Sequence, residues 1–223
     1  MRSGASAVPR GTFLTFEGGE GSGKSTQLRL LAERIRASGH DVVETREPGG
    51  TPGAEALRHV LLAGGAEVFG PFGEAVLFAA ARADHVGSFI KPRLRSGTHV
   101  LCDRFIDSSR AYQTQAGPGL RHLERAAVAG TRPDITFIFD IPPRIGVARV
   151  LERDSSLDRF EQSRVEEQER RRAAFIAIAA REPDRCVVID AEGTIEEVTR
   201  RVDRALVERA PHLLEHQPAA DIA

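Results

Sequence analysis

The stretch Phe16–Thr26, FEGGEGSGKST, leaves few options for the fold around it. Gly18 to Ser25 fit the pattern G-x-x-x-x-G-K-[ST], in which a glycine-rich turn joins a β-strand to an α-helix. The glycines let successive backbone N–H groups point inward as a nest for an anion. The helix starting near Lys24 adds the positive end of its dipole. Lys24 is placed to reach the β- and γ-phosphates of a nucleotide, and Ser25 to offer a hydroxyl to Mg²⁺. The segment formed by Gly18, Gly19, Glu20, Gly21, Ser22, Gly23, Lys24, Ser25 and Thr26 is therefore the candidate phosphate cradle. Lys24 and Lys91 are the only lysines among the basic residues, the rest being arginine, which makes a lysine in this loop hard to dismiss.

Short β-rich runs then alternate with helical spacing. Thr12–Glu17, Asp41–Thr45, Thr98–Cys102, Ile135–Ile141 and Arg185–Asp190 read as five strands. Lys24–Ser38, Pro52–Ala63, Gly73–Arg95 (with a break near Pro92), Leu120–Gly130, Pro143–Arg153, Glu161–Ala180 and Thr194–Glu208 read as helices. Strands separated by helices imply an α/β fold with a parallel sheet covered on both faces. A chain of 223 residues fits one such domain. Residues 12–209 are expected to form it, between weakly ordered tails at 1–11 and 210–223. A net charge of −1 gives no global pull toward nucleic acid or membrane. No apolar run is long enough to cross a bilayer, and the N-terminus lacks the apolar core of a secretory signal. Cys102 and Cys186 sit in apolar strands, as expected of buried free thiols in a reducing compartment such as the cytoplasm.

A phosphate loop alone does not separate kinases from switch GTPases or motor ATPases. The strand ITFIFDI runs into IPPR rather than the N-K-x-D that reads guanine. Asp103-Arg104 closes the third strand at the carboxyl edge where ligands bind in open α/β sheets. An acid there can hold Mg²⁺ and an arginine can grip a second phosphate. Arg149 and Arg153 share a helix face. The charged stretch ERDSSLDRFE that follows, at about 152–161, reads as a lid closing over phosphates.

Six ordered segments, FEGGEGSGKST, TREPGGT (Thr45–Thr51), LFAAAR (Leu77–Arg82), LCDRFIDSSRAYQ (Leu101–Gln113), RPD (Arg132–Asp134) and LDRFE (Leu157–Glu161), resemble bacterial thymidylate kinases from about Thr12 to Val207. The resemblance implies a three-layer P-loop kinase fold with a central five-stranded parallel sheet and a short lid. It implies phosphoryl transfer from ATP to dTMP with Mg²⁺, and a homodimer, for which an apolar face of Glu74–Ile90 is available. It also implies residue roles. Glu20 faces the deoxyribose 3′-hydroxyl, and Arg46, Glu47 and Pro48 line the acceptor. Phe78 stacks on thymine, while Arg58 and Arg82 approach the base. Arg104 clamps the acceptor phosphate, and Asp103 with Ser25 serves the metal. Ser109 and Gln113 bond the pyrimidine edge, and Tyr112 disfavours a ribose 2′-hydroxyl. Gly21 occupies the position where some relatives carry a catalytic arginine, so Arg153 of the lid is expected to supply it, with Arg149 at adenine or phosphate. Lys24, Arg104, Arg153 and Asp103 are the expected catalytic set. Asp158 and Glu161 match lid acids, Ser108 reads as structural, and Arg110, smaller or uncharged in many relatives, is expected to point to solvent. His59, His85 and His122 read as surface or packing residues. Two alternatives stay open here, another nucleotide or deoxynucleoside kinase and a nucleotide-dependent switch.

Overall fold

The computed structural model describes residues 9–153 and 165–216. Five strands, β1 (Phe13–Gly18), β2 (Val42–Arg46), β3 (His99–Asp103), β4 (Ile135–Asp140) and β5 (Cys186–Asp190), form one sheet. The strand order is β2-β3-β1-β4-β5 and every pairing is parallel. This is the expected α/β architecture. β1, β3 and β4 are buried on both faces, as their continuous apolar runs require.

Helices cover both faces. On one, α1 (Lys24–Ala37) and α9 (Ile195–Arg209) pack Leu28, Leu31, Ile35, Val202 and Leu206 on Leu14, Phe16, Phe137 and Ile189. On the other, the long helical arm after α2 (Pro52–Leu62) buries Val86, Ile90 and Leu94 on Phe13, Val100 and Phe105. α8 (Val165–Arg181) adds Phe175 and Ile178 beside Ile138. α5 (Ile106–Tyr112), α6 (Leu120–Val128) and α7 (Pro143–Arg153) complete the chain. The break expected near Pro92 is milder than a stop. α3 (Gly70–His85) runs through a π-turn at Val86–Ile90 into α4 (Lys91–Arg95). Proline lacks the N–H that the carbonyl four residues back would accept, and the wider turn lets the helix continue past it.

Order does not end at Arg209, where the C-terminal tail was expected to begin. Pro211–Leu213 forms a 3₁₀ turn, and Ala210 and Leu213 enter the core beside α1 and α9. Full burial of Leu213 is worth about 1.5–3 kcal/mol, enough to hold a short segment. His40 and His99 lie edge to face here at 5.2 Å, and His99 faces His212 at 6.5 Å. The Nδ1 atom of His99 accepts the Thr12 N–H at 2.9 Å, so that nitrogen must stay unprotonated. Burial, then His40 and His212, push the His99 pKa down to about 4 despite the nearby Asp41. Between pH 4 and 6.5 the folded state thus binds fewer protons than the unfolded one. Stability rises with pH across that window and is lost as pH falls through it. His99→Asn, which keeps an acceptor near the Nδ1 position, should flatten this dependence. Urea unfolding at pH 5 and pH 7 measures it, and an unchanged pH difference in the variant would exclude His99 as its source.

Candidate active site

Strand register assembles the site. Phe16 of β1 pairs with Asp103 of β3, and Asp103 pairs with Arg46 of β2. Three segments far apart in sequence therefore leave the sheet side by side at its carboxyl edge. The phosphate loop turns there under tight steric control. Gly21 has φ +67°, and a Cβ on it would lie 2.0 Å from the Gly146 carbonyl oxygen. A Cβ on Gly146 would lie 2.3 Å from the Glu20 carbonyl oxygen, so the loop and α7 touch backbone to backbone. No side chain fits at position 21.

Lys24 opens α1 with its side chain folded over the loop. Its Nζ donates to the Gly19 carbonyl at 2.7 Å and to Ser22 Oγ at 3.3 Å. Burial, followed by the like charge of Arg104, lowers its pKa to about 8. A phosphate chain entering the loop would restore the charge to its usual strength. The Ser25 hydroxyl donates a short hydrogen bond to Asp103 Oδ2. A hydroxyl and a carboxylate adjoining a phosphate site are hard oxygen donors of the kind Mg²⁺ takes together with phosphate oxygens and water.

Arg104 occupies the left-handed region at φ +66°. This conformation is costly for a side chain with a Cβ and recurs at functional sites. Its guanidinium donates to Glu20 Oε1 at 2.5 Å, Ser108 Oγ at 3.1 Å and the Gly18 carbonyl at 3.2 Å. The Tyr112 hydroxyl donates to the same Glu20 oxygen at 3.0 Å. Burial alone would raise the Glu20 pKa, but Arg104, Lys24 and the Tyr112 hydrogen bond outweigh it and hold the group below its usual value. Beneath them lies a residue that the sequence reading missed. Glu17 is fully buried and accepts from the Phe105 N–H at 2.8 Å, the Ser108 N–H at 3.2 Å and Ser108 Oγ at 2.6 Å. Burial and Asp107 push its pKa up to about 7. Glu17 thus braces the turn that presents Arg104.

A cavity of about 260 Å³ opens beside these groups. Arg46, Glu47, Pro48, Arg58, Phe78, Arg82, Ser109, Tyr112 and Gln113 all line it, together with Leu62, Phe105 and Ser108, which sequence reasoning did not place there. Phe78 is half-buried against the cavity rather than in the core. Arg82 is 4% exposed; its guanidinium donates to Glu47 at 2.7 Å, Ser109 Oγ at 2.9 Å and the Phe105 carbonyl at 2.9 Å. His85 is more than packing, since its Nδ1 lies 3.1 Å from Glu47 and its Nε2 lies 2.7 Å from Thr45 Oγ1. Arg58 donates to the Pro48 carbonyl at 2.7 Å, and Arg46 to Glu55 at 3.1 Å. Gln113 stands apart. It is buried, yet neither its carboxamide oxygen nor its nitrogen has a partner among the described residues. Such an amide facing a cavity calls for a ligand with both a donor and an acceptor.

A second cavity, about 150 Å³, lies over the phosphate loop and is lined by Gly21 to Thr26. Glu20, Ser25, Asp103 and Arg104 line both cavities and form the seam between them.

Arg149 and Arg110 stand outside these two cavities. Arg149 donates to the Ala191 and Gly193 carbonyls, at 3.2 and 3.3 Å, in the loop after β5. Arg153 closes α7, but its side chain lies outside the described residues, as do Asp158 and Glu161. Arg110 does not point to solvent. It is bound by Glu124, by Glu182 at 2.6 Å and by Asp107 at 3.0 Å. A further arginine escaped notice in the charged run of α8. Arg171 lies 4.4 Å over the Tyr112 ring, and Arg104 lies 5.1 Å from the same ring.

The described histidines, cysteines and acids form no cluster of three suited to a metal, so a cation here would rely on Ser25, Asp103 and ligand oxygens. No single described helix is long and apolar enough to cross a membrane. Residues 16–202 match the family model described as thymidylate kinase. The chain is 51% identical over 207 residues to a thymidylate kinase of Nitrobacter winogradskyi, covering 90% of each protein. It is 48% identical over 206 residues to a thymidylate kinase of Caulobacter vibrioides, covering 91% of this chain and 99% of that protein. With the parallel sheet, the phosphate loop and the paired cavities on one edge, these matches establish that the chain belongs to the thymidylate kinase family.

Proposed function

We propose that this protein transfers the γ-phosphoryl group of ATP to the phosphate of dTMP, giving dTDP and ADP. The observation that carries the reading is the seam. A loop cavity fit for a donor polyphosphate and a cavity walled in part by Phe78, Phe105 and Tyr112, fit for an acceptor nucleotide, share Glu20, Ser25, Asp103 and Arg104. Two nucleotides laid end to end would bring their phosphates together there.

The chemistry asked of the protein is positioning and electrostatics. Lys24 and the loop amides hold the donor chain. Arg104 exchanges part of its contact with Glu20 for the acceptor phosphate, and Glu20 is left to accept from the sugar hydroxyl. The acceptor oxygen is already anionic at neutral pH, so no general base is required. Ser25 and Asp103 would hold Mg²⁺, which when bound neutralises charge on the β- and γ-phosphate oxygens. The steric closure at Gly21 supports an arginine arriving from elsewhere, and Arg153 on the lid is our choice, with Arg149 bordering adenine.

Phe78 would stack on the base while Arg58, Arg82 and Ser109 approach its edge. Gln113 supplies the paired donor and acceptor that a pyrimidine edge matches. Gln113→Leu should therefore raise KM for dTMP by roughly 10-fold or more, the cost of one lost bidentate contact. The same change removes an unsatisfied buried amide, so thermal stability should hold or rise. A less stable variant with unchanged KM would assign Gln113 a structural role instead.

Exposed Val60, Val68, Phe69, Phe72 and Val76 on and beside α2 and α3 support a homodimer through this face, which a sedimentation mass at one chain's value would exclude. The buried free thiols Cys102 and Cys186 support a reducing, cytoplasmic setting. The deciding experiment is acceptor-dependent ADP release measured with dTMP, dUMP, dCMP, AMP and thymidine. Turnover greatest with dTMP supports the proposal, and equal or greater turnover with thymidine or AMP sinks it.

A further inference from the structure

We propose that a groove between α6 and the end of α8 is a second anion site, taking a small linear polyphosphate separate from the catalytic cavities. The groove is open and holds about 750 Å³, larger than the acceptor cavity. Arg121, Arg125, Arg132 and Arg181 line it, all exposed and none with an ion pair among the described residues. Arg132 opens the RPD segment, whose Asp134 is spent on Arg10 and the Phe13 N–H. The arginine itself has no part in the phosphoryl-transfer site.

Two acids share the groove, Glu124 and Glu182, and both are already occupied. Arg110 binds both of them, and Arg185 also binds Glu182 at 2.7 Å. The Glu182 pKa is accordingly lowered; burial opposes this, but Arg185 and Arg110 outweigh it. The lining thus carries five arginines against two glutamates, and the excess positive charge sits on the four exposed side chains. In a chain whose net charge is −1, such a local excess is a directed field rather than a general basicity. Guanidinium forks suit phosphate oxygens in particular. Pro118, Leu120 and Ile178 give the groove an apolar wall, against which a nucleoside attached to the polyphosphate could lie.

The size of the groove and the near-neutral charge of the chain favour a compact ligand over nucleic acid. Nucleic acid would need a charged track longer than this one groove.

The test is a calorimetric titration of the full-length protein with tripolyphosphate at low salt. Two equivalents are expected for the unaltered chain, one at the phosphate loop and one at the groove. The exposed triple variant Arg121→Ala/Arg125→Ala/Arg181→Ala should bind one, with acceptor-dependent ADP release unchanged. A single equivalent in the unaltered chain, or two in both proteins, overturns the proposal. A parallel titration with a nucleoside triphosphate separates the sources. Tighter groove binding than tripolyphosphate supports a nucleotide tail, and equal binding a free polyphosphate. A labelled single-stranded oligonucleotide that binds through these arginines, where tripolyphosphate does not, overturns it in favour of a nucleic-acid surface. Raising the salt tenfold should weaken the second equivalent more than the first, because its arginines are solvent-exposed.

Discussion

Arg104→Gly is expected to lower kcat/KM for dTMP by roughly 10³-fold while costing the fold less stability than Arg104→Ala does. The two halves of this expectation have different origins. The loss of activity follows from position, since Arg104 is the cation common to both cavities. Single electrostatic donors aimed at a reacting centre are worth roughly 10²–10³ in turnover, and here the same group would also help bind the acceptor. The smaller loss of stability follows from the backbone. At φ +66° a residue with a Cβ is strained by about 1–2 kcal/mol, which glycine relieves. Against that gain stands the ion pair with Glu20, whose two side chains are 17% and 18% exposed. Breaking so enclosed a pair leaves the Glu20 carboxylate without its main partner, a loss that the relieved strain offsets only in part. Arg104→Ala serves as the control. It loses the same ion pair but keeps the strain, so it should be less stable than the glycine variant by about 1 kcal/mol and equally impaired. Steady-state kinetics and urea unfolding of both variants provide the measurement. Near-normal kcat/KM in Arg104→Gly would remove Arg104 from the seam's chemistry.

The strands of this fold could be read from the chain because each is a short apolar run bounded by turn residues, and in a parallel sheet covered on both faces nothing else competes for such runs. The phosphate loop was legible for a related reason, since its glycines are demanded by local backbone geometry. What stayed hidden depends on partners distant in sequence. Glu17 looks like the polar end of a strand, and only the turn at Phe105–Ser108 explains its burial. Arg110 read as a solvent residue because Glu124 lies on α6 and Glu182 just past the end of α8, both distant in sequence. Arg171 sits in the run ERRR, which has the charge pattern of an exposed helix face, yet its place over Tyr112 is set by how α8 docks on α5. The segment after Arg209 carries a single buried leucine, too little for any periodicity to register. Family motifs supplied most of the acceptor cavity, whereas the bracing under it came from packing.

That bracing yields the largest expected loss of stability. Glu47→Ala should destabilise the protein by about 3–5 kcal/mol, a large share of the 5–15 kcal/mol that holds a typical domain together. Glu47 and Arg82 are each 4% exposed at the side chain and meet at 2.7 Å, and His85, fully buried, leans on the other carboxylate oxygen at 3.1 Å. Removing the carboxylate leaves a guanidinium enclosed in protein with its charge uncompensated. The ion pair itself need not be strongly stabilising; what costs so much is breaking one side of it. The double variant Glu47→Ala/Arg82→Met should therefore recover a good part of the loss, giving a coupling of a few kcal/mol in the double-mutant cycle. Its activity should stay low, because Arg82 also holds Ser109 at 2.9 Å and lines the acceptor cavity. Thermal unfolding of a chain this size moves by about 2–4 °C per kcal/mol, so the single variant should melt roughly 10 °C lower. A shift of less than two degrees, or a double variant less stable than the single one, would mean that Glu47 is solvated in solution and that the acceptor cavity is walled by something other than a buried charge pair.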